Sequence, residues 1–183
     1  HRDLHSFPTR RSSDLLVIGI DPGTAITGYG LVREQQDGSL EVVDYGVVET
    51  PSNQPMSQRL LALYQSLSEI ILLHRPQSGA VEKLFFQRNV RTAITVGQGR
   101  GIALLALAEA GLTVGEYTPL EIKQAVAGYG GADKKQIQYM VKALLNLSEI
   151  PEPDDAADAL AVAICHIHST RIQSLYGCED GGK

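Results

Sequence analysis

From residue 16 onward, apolar and polar positions follow the pattern of β-strands. Residues 16–20 form an apolar run that stops at Asp21-Pro22-Gly23, because proline and glycine end regular strands. Further strands are predicted over about residues 27–33 and 40–48, and the Asp37-Gly38 pair between them is typical of a tight hairpin. The pattern therefore predicts an antiparallel meander of three strands.

Apolar residues then recur every three to four positions, which is the period of an amphipathic helix. Short strands are predicted at 78–82 and 113–117, and helices at about 60–75, 89–110, 118–127, 133–147 and 154–170. Asp133 and Asp154 each stand where a helix N-cap is expected. The order of elements predicts an α/β fold in which a five-stranded mixed sheet is flanked by helices on both faces.

Length and composition predict one globular domain. The chain has 183 residues, of which 43% are hydrophobic and 20% are charged, so it can bury a core. We expect residues 16–172 to form this domain and residues 173–183 to form a flexible tail. Residues 1–15 show neither an apolar run nor a regular period, and we interpret them as a non-native leader.

Apolar run lengths and cysteine content exclude two classes of protein. The longest apolar runs, 102–108 and 159–165, have seven residues each, whereas roughly 20 are needed to span a bilayer. Cys165 and Cys178 are the two cysteines, too few for a disulfide framework and without zinc-site spacing. We therefore expect no membrane association and a reducing, cytoplasmic location.

The formal net charge of −5 conceals an uneven distribution. Residues 83–142 carry eight Lys or Arg against four Asp or Glu, whereas 16–82 carry three against eight and 143–183 carry two against seven. A basic surface beside an acidic cluster would suit a nucleic-acid-binding protein. Charges scattered over solvated faces are the alternative at this point.

Four acidic residues stand where an α/β sheet usually binds its ligands. Asp21 and Glu82 end the first and fourth predicted strands, and Asp155 and Asp158 share one face of the last helix near its start,. Alanines let this helix lie close to the sheet, so the four carboxylates could converge. Taken singly, the helix aspartates could serve the helix dipole and Asp21 a turn. Glu82 ends an apolar strand, where an unpartnered charge is costly.

Converging carboxylates would repel one another unless a cation lay among them. Hard oxygen ligands suit Mg²⁺, with Mn²⁺ as a substitute. Two such ions, about 3.5 to 4 Å apart, can stabilise both the attacking and the leaving oxygen of a phosphodiester. The sequence therefore predicts a hydrolytic site with two metal ions.

Three motifs in this order resemble those of the RuvC-type Holliday junction resolvases: Gly19–Thr24 followed by Thr27–Gly30, Val81-Glu82 followed by Phe85, and Asp155–Ala161. The resemblance covers about residues 16–170. It implies a ribonuclease H-like fold and a homodimer with RuvA and RuvB as partners. It also implies a crossover junction endodeoxyribonuclease that resolves four-way DNA junctions in recombination and repair, by symmetric nicks with 5′-phosphate and 3′-hydroxyl ends. By motif position it assigns metal binding and catalysis to four residues: Asp21, Glu82, Asp155 and Asp158.

Basic and aromatic residues beside these acids predict the DNA-binding surface. The resemblance places Phe85, Lys123 and Lys134 against the junction, with Lys134 near the scissile phosphate as a further catalytic residue. Cations neutralise phosphates, and an aromatic ring can stack on an unpaired base. By residue type the predicted DNA contacts extend to Phe86, Arg88, Asn89, Arg91 and Lys135. One of the two phenylalanines could instead belong to the core. Phe86, Lys135 and Asp154 depart from the family pattern.

Two other functions stay open on sequence grounds. One is a related ribonuclease H-like nuclease with another nucleic-acid target. The other is a nucleotide-binding protein of the actin/sugar-kinase type, whose first phosphate loop is similar to residues 21–24. That architecture needs a second lobe, for which a chain filled by one domain leaves no room.

Some conspicuous residues are predicted to be structural. The glycine-rich segment 97–101 lies inside a helical pattern, so we expect its glycines to permit close helix packing, including at a dimer interface, rather than to bind phosphate. His166 and His168 point to different faces of the last helix and are not expected to bind metal. Cys165 is expected to be a small core residue.

Overall fold

The centre of the fold is one mixed sheet. The computed structural model describes the backbone of residues 14–83 and 90–176, and the side chains of 14–83 and 93–174. The strands are β1 (Leu15–Asp21), β2 (Ile26–Glu34), β3 (Leu40–Glu49), β4 (Ser78–Glu82) and β5 (Thr113–Tyr117). They lie side by side in the order β3-β2-β1-β4-β5. β1, β2 and β3 pair antiparallel, whereas β1, β4 and β5 pair parallel, which confirms the predicted meander and the mixed sheet.

Helices cover both faces of the sheet. They are α1 (Met56–His74), α2 (Val90–Glu109), α3 (Pro119–Ala127), α4 (Lys134–Leu144) and α5 (Asp154–Tyr176). Neighbouring residues of a strand point to opposite faces, so Ile18 packs with α1 and α2 while Val17 packs with α3, α4 and α5. The two hydrophobic cores on either side of the sheet confirm the predicted α/β architecture.

The structure corrects the end of α4 and both ends of α5. α4 was expected to reach residue 147 but ends at Leu144, because Asn146 adopts a left-handed conformation with φ of 51°. Asp154 was expected to cap α5 but is its first helical residue, and the carbonyl of Pro153 accepts the first helical hydrogen bonds. α5 also runs to Tyr176 rather than ending near residue 170, so it enters the segment expected to be a tail.

Helix α5 lies directly on the backbone of β1 and β2. A Cβ added to Gly19 would come within 2.5 Å of the backbone nitrogen of Ala163, and one added to Gly28 would collide with the carbonyl group of Asp155. Glycine is required at both positions because main chain meets main chain there. This close approach carries the start of α5 over the end of β1.

The glycine-rich segment of α2 also serves packing within the chain. A Cβ at Gly99 would lie 2.6 Å from the carbonyl oxygen of Gly23, in the turn that follows β1, whereas a Cβ at Gly101 would meet nothing within 4 Å. The segment is helical and forms no loop between a strand and a helix. Its position agrees with a packing role.

Among residues 14–83 and 90–176, no helix has the length and apolar character needed to cross a bilayer. The 23-residue helix α5 begins with acidic residues and packs along the sheet through its buried alanines.

Candidate active site

The acidic side chains meet at one edge of the sheet. Asp21 is the last residue of β1 and Glu82 the last residue of β4, and these strands are parallel neighbours. Both side chains therefore emerge at the carboxyl edge, where α/β sheets bind ligands. The contact of α5 with Gly28 brings Asp155 to the same edge, with Asp158 one turn further along the helix.

Asp21 lies in an environment that opposes its charge. Burial raises the pKa of Asp21 from 3.8 to about 8, and the charges of Glu82, Asp158 and Asp155 add to the effect. The Asp21 and Glu82 side chains lie within hydrogen-bonding reach of each other, and this interaction acts to raise the pKa of Asp21 and to lower that of Glu82. Burial and the charge of Asp158 also raise the pKa of Glu82. Negative charge is therefore disfavoured on Asp21 and Glu82 in the absence of a bound cation.

Lys134 lies on the outer side of the acidic group. Its Nζ atom is 3.2 Å from Asp158 Oδ2 and 3.0 Å from Asp154 Oδ2. Partial burial acts to lower the pKa of Lys134, but the hydrogen bonds and charges of Asp154 and Asp158 outweigh this and raise it. Asp158 keeps a raised pKa because its burial outweighs the attraction of Lys134. Lys134 is therefore held as a cation beside the carboxylates.

The donor set suits a hard divalent cation. Asp21, Glu82, Asp155 and Asp158 offer carboxylate oxygens, which Mg²⁺ and Mn²⁺ prefer, and the raised pKa of Asp21 reflects charge that such a cation would relieve,. Among residues 14–83 and 93–174, however, no three His, Cys, Asp or Glu side chains form a ready metal-binding group. The Asp21 carboxyl group instead interacts with Glu82, and the ammonium group of Lys134 pairs with Asp158.

A cleft opens beside the acids. It has a volume of about 220 Å³ and its floor is apolar, while Glu82, Asp158, Lys123 and Lys134 contribute its polar lining. The two predicted DNA-facing lysines thus lie next to two of the predicted metal ligands. A cleft lined by both cations and carboxylates can place a phosphate group near a metal ion.

Of the other predicted DNA contacts, Lys135 is within the described residues and is not part of the lining of this cleft. Lys135 is exposed on α4, and within the described residues its side chain has no hydrogen bond or ion pair with the acids. The remaining predicted contacts, Phe85, Phe86, Arg88, Asn89 and the side chain of Arg91, lie outside the described residues.

His166, His168 and Cys165 are engaged away from the acidic group. His166 is buried, with its ring nitrogens 2.8 Å from Tyr117 Oη and 3.1 Å from Ser78 Oγ. His168 Nδ1 lies 3.0 Å from the carbonyl oxygen of Ala125. Cys165 is buried in the core, where burial raises its pKa to about 12.

The structure adds Arg100 and Gln138, which sequence reasoning did not assign to the site. Arg100 Nε donates to the carbonyl oxygen of Glu82 at 3.2 Å, and its guanidinium pairs with Glu116, so it fixes the end of β4. Gln138 Nε2 donates to Asp154 Oδ1 at 2.8 Å. In the sequence, only an arginine in the middle of an apolar helix and a polar residue four positions after Lys134 mark them.

Comparison with known proteins agrees with this architecture. A sequence model of the family described as crossover junction endodeoxyribonuclease RuvC matches residues 17–166. The crossover junction endodeoxyribonuclease RuvC of Desulfitobacterium hafniense is 58% identical over 163 residues, covering 89% of this chain and 98% of that protein. Its counterpart in Chloroflexus aurantiacus is 57% identical over 160 residues, covering 87% and 97%.

Solved structures give the same result. The structure of Thermus thermophilus RuvC has a TM-score of 0.81 at 37% identity, covering 86% of this chain and 96% of that one. The same relative in complex with a Holliday junction substrate has a TM-score of 0.79 at 34% identity, with the same coverage. The yeast mitochondrial resolvase Ydc2, at 16% identity and a TM-score of 0.65, covers 93% of this chain and 84% of its own and shares the fold. The ribonuclease H-like fold is therefore confirmed, and the chain belongs to the RuvC family of crossover junction endodeoxyribonucleases.

Proposed function

We propose that this protein resolves four-way DNA junctions in recombination and repair by metal-dependent hydrolysis of two phosphodiester bonds. RuvC-family proteins are metal-dependent nucleases, and the Thermus relative has been solved with a Holliday junction substrate. The observation that carries the proposal for this chain is the buried Asp21–Glu82 pair. Burial and three neighbouring carboxylates raise the pKa of Asp21 to about 8, which is the environment expected of ligands whose cation supplies the missing charge.

In this proposal two Mg²⁺ ions, for which Mn²⁺ can substitute, would be held by Asp21, Glu82, Asp155 and Asp158. Bound cations would activate a water molecule and stabilise the charge that develops on the phosphate. Water oxygen attacks phosphorus and the bond from phosphorus to the 3′ oxygen breaks, leaving a 5′-phosphate and a 3′-hydroxyl. Lys134, held as a cation beside Asp158, would donate a hydrogen bond to the phosphate.

The proposed DNA surface extends from the cleft. Lys123 and Lys134 contribute to its polar lining and would neutralise phosphates. Lys135, Arg88, Asn89 and Arg91 are proposed as further backbone contacts, and Phe85 and Phe86 as residues that stack on bases near the branch point.

The symmetry of the substrate suggests the oligomeric state. A twofold homodimer would place one site on each of two like strands of a twofold junction, and paired symmetric nicks follow from that geometry. RuvA and RuvB are the proposed partners on the junction. Because the substrate is cellular DNA, the proposed location is the cytoplasm. Residues 16–172 are the proposed catalytic domain.

Cleavage of a synthetic mobile four-way junction tests the proposal. Asp21→Asn should abolish nicking in Mg²⁺ while leaving junction affinity within about threefold, because the lysines of the cleft are unchanged. Asp37→Asn removes one acid from the β2–β3 turn, far along the chain from the site, and serves as the matched control with parent-like cleavage. Full cleavage by the Asp21 variant, or equal cleavage in Mg²⁺ and in EDTA, would refute the proposed role of the acids.

Substrate competition separates the proposal from its closest alternative. Unlabelled mobile junction should compete for cleavage far better than linear duplex or an RNA–DNA hybrid of equal length. Preference for the hybrid would favour a related nuclease with another target. The nucleotide-binding alternative is not favoured, since the RuvC relatives match almost the whole chain, and calorimetric detection of ATP binding would be needed to restore it.

A further inference from the structure

Each carboxylate oxygen of Asp154 accepts from one side chain, although Asp154 lies outside the proposed metal-binding set. Its Oδ2 atom accepts from Lys134 Nζ at 3.0 Å, and its Oδ1 atom accepts from Gln138 Nε2 at 2.8 Å. Lys134 and Gln138 are four residues apart on α4, so they project from the same side of that helix. Asp154 therefore joins the first turn of α5 to one face of α4.

The Lys134 ammonium group is shared between two carboxylates. It lies 3.2 Å from Asp158 Oδ2, on the inner side, and 3.0 Å from Asp154 Oδ2, on the outer side. The Asp158 side chain is 34% exposed and that of Asp154 is 62% exposed. Asp158 is a proposed metal ligand, so Lys134 and a divalent cation compete for the same carboxylate. A lysine with no other acceptor would have to lose its ion pair whenever metal bound.

We propose that Asp154 is a positioning residue that gives Lys134 a second acceptor, so that a metal ion can take Asp158 while the lysine stays beside the site. The bond from Gln138 orients the Asp154 carboxylate toward Lys134. This inference rests on the proposed function, because it assumes that Asp158 binds the cation. It assigns a role to Asp154, an acid beside the site that the proposed metal-binding set does not include.

Two other roles for Asp154 make different predictions. An acid in the first turn of a helix favours the helix dipole, and any negative charge near a metal site attracts cations. Both effects would persist without Lys134. The positioning role depends on Lys134, so the effect of removing Asp154 should vanish when the lysine is replaced by a neutral residue of similar length. A double-mutant cycle measures this dependence directly.

Mn²⁺ binding to the full-length, DNA-free protein provides the test. Free Mn²⁺ is measured by electron paramagnetic resonance during titration of four proteins: the parent, Asp154→Asn, Lys134→Gln and the double variant. Exposed ion pairs of this kind change affinities by up to about fivefold. We expect Asp154→Asn to weaken Mn²⁺ binding about threefold to fivefold in the parent and less than about 1.5-fold in the Lys134→Gln background. Glu152→Gln removes a nearby exposed acid and should match the parent.

The outcomes distinguish this inference from the proposed function. If the parent binds Mn²⁺ and Asp21→Asn does not, the metal site stands, and the cycle alone decides the role of Asp154. Equal losses from Asp154→Asn in both backgrounds would mean that Asp154 acts through its own charge, which overturns the inference, as would no loss in either background. Failure of the parent to bind Mn²⁺ would overturn both the proposed metal site and the role of Asp154.

Discussion

Without metal, Asp21 should make the folded protein less stable as the pH rises. Its pKa is raised from 3.8 to about 8 in the folded state, so the folded protein binds a proton that the unfolded chain releases. For a group whose pKa is raised on folding, the associated stability is fully present below the unfolded value and is lost as the pH increases through the folded value. Asparagine has nearly the same shape and does not titrate. Asp21→Asn should therefore stabilise the metal-free protein at high pH.

The magnitude follows from the two pKa values. The difference between 3.8 and about 8 corresponds to roughly 6 kcal/mol at most. Asp21 shares its proton and charge with Glu82, so the expected gain for the asparagine variant at pH 8 is on the order of 2 to 3 kcal/mol. For a chain of 183 residues this corresponds to a rise in Tm of about 5 to 10 °C. Near pH 4 the two proteins should melt within about 2 °C of each other.

Thermal melts in EDTA from pH 4 to pH 8, at one fixed protein concentration, provide the measurement. Asp37→Asn is the control, because hydrogen bonds from Ser39 lower the pKa of that exposed acid, and its removal should give no gain at pH 8. A Tm for Asp21→Asn at or below that of the parent at pH 8, or a gain independent of pH, would refute the reasoning. Added Mn²⁺ should raise the Tm of the parent and leave that of Asp21→Asn unchanged.

The other predictions concern catalysis and packing. Lys134→Ala should slow single-turnover cleavage about 100-fold with junction affinity changed less than about threefold in gel shifts; a larger effect on binding than on rate would remove Lys134 from the reaction. Gly19→Ala should lower the free energy of unfolding by about 3 kcal/mol in denaturant titrations, because the added Cβ would meet the α5 backbone. Gly101 has open space around it, so Gly101→Ala should be neutral or stabilising by up to about 1 kcal/mol. Similar effects of the two substitutions would contradict the close contact. Arg100→Ala should lower the free energy of unfolding by about 1 to 2 kcal/mol. Arg100→Lys should be intermediate, because lysine has one nitrogen where arginine uses two for the Glu82 carbonyl and Glu116. An unchanged melting curve for Arg100→Ala would show that this link contributes nothing to stability.

Predictions from the sequence were correct for features that a single local signal determines. The apolar runs that precede Asp21 and Glu82 predict that each residue ends a strand, where α/β sheets bind ligands, and the structure shows that these two strands are parallel neighbours. The alanines of α5 indicated a helix lying close to the sheet, and the structure has its backbone against Gly19 and Gly28. The predicted helix starts near residues 118 and 133 are confirmed, and Thr118 and Asp133 form capping boxes there,.

Features that depend on how two helices approach each other could not be predicted. Lys134 follows a capping residue, and nothing local indicates that it pairs with Asp154 and Asp158 across α4 and α5. The prediction of Asp154 as the N-cap of α5 was wrong, because aspartate is favoured both at the N-cap and in the first turn of a helix. Arg100 lies in a glycine-rich segment, and its contacts with Glu82 and Glu116 depend on how α2 packs on the sheet.

The contact between α5 and the glycines of β1 and β2 constrains how this protein can change. Where a side chain is the obstacle, a second substitution can make room, but at residues 19 and 28 the obstacle is main chain. No compensating replacement exists on the helix, so a larger residue there can only push α5 outward and carry Asp155 with it. Libraries intended to alter cleavage preference should therefore hold these positions fixed and diversify the lysine-bearing side of the cleft.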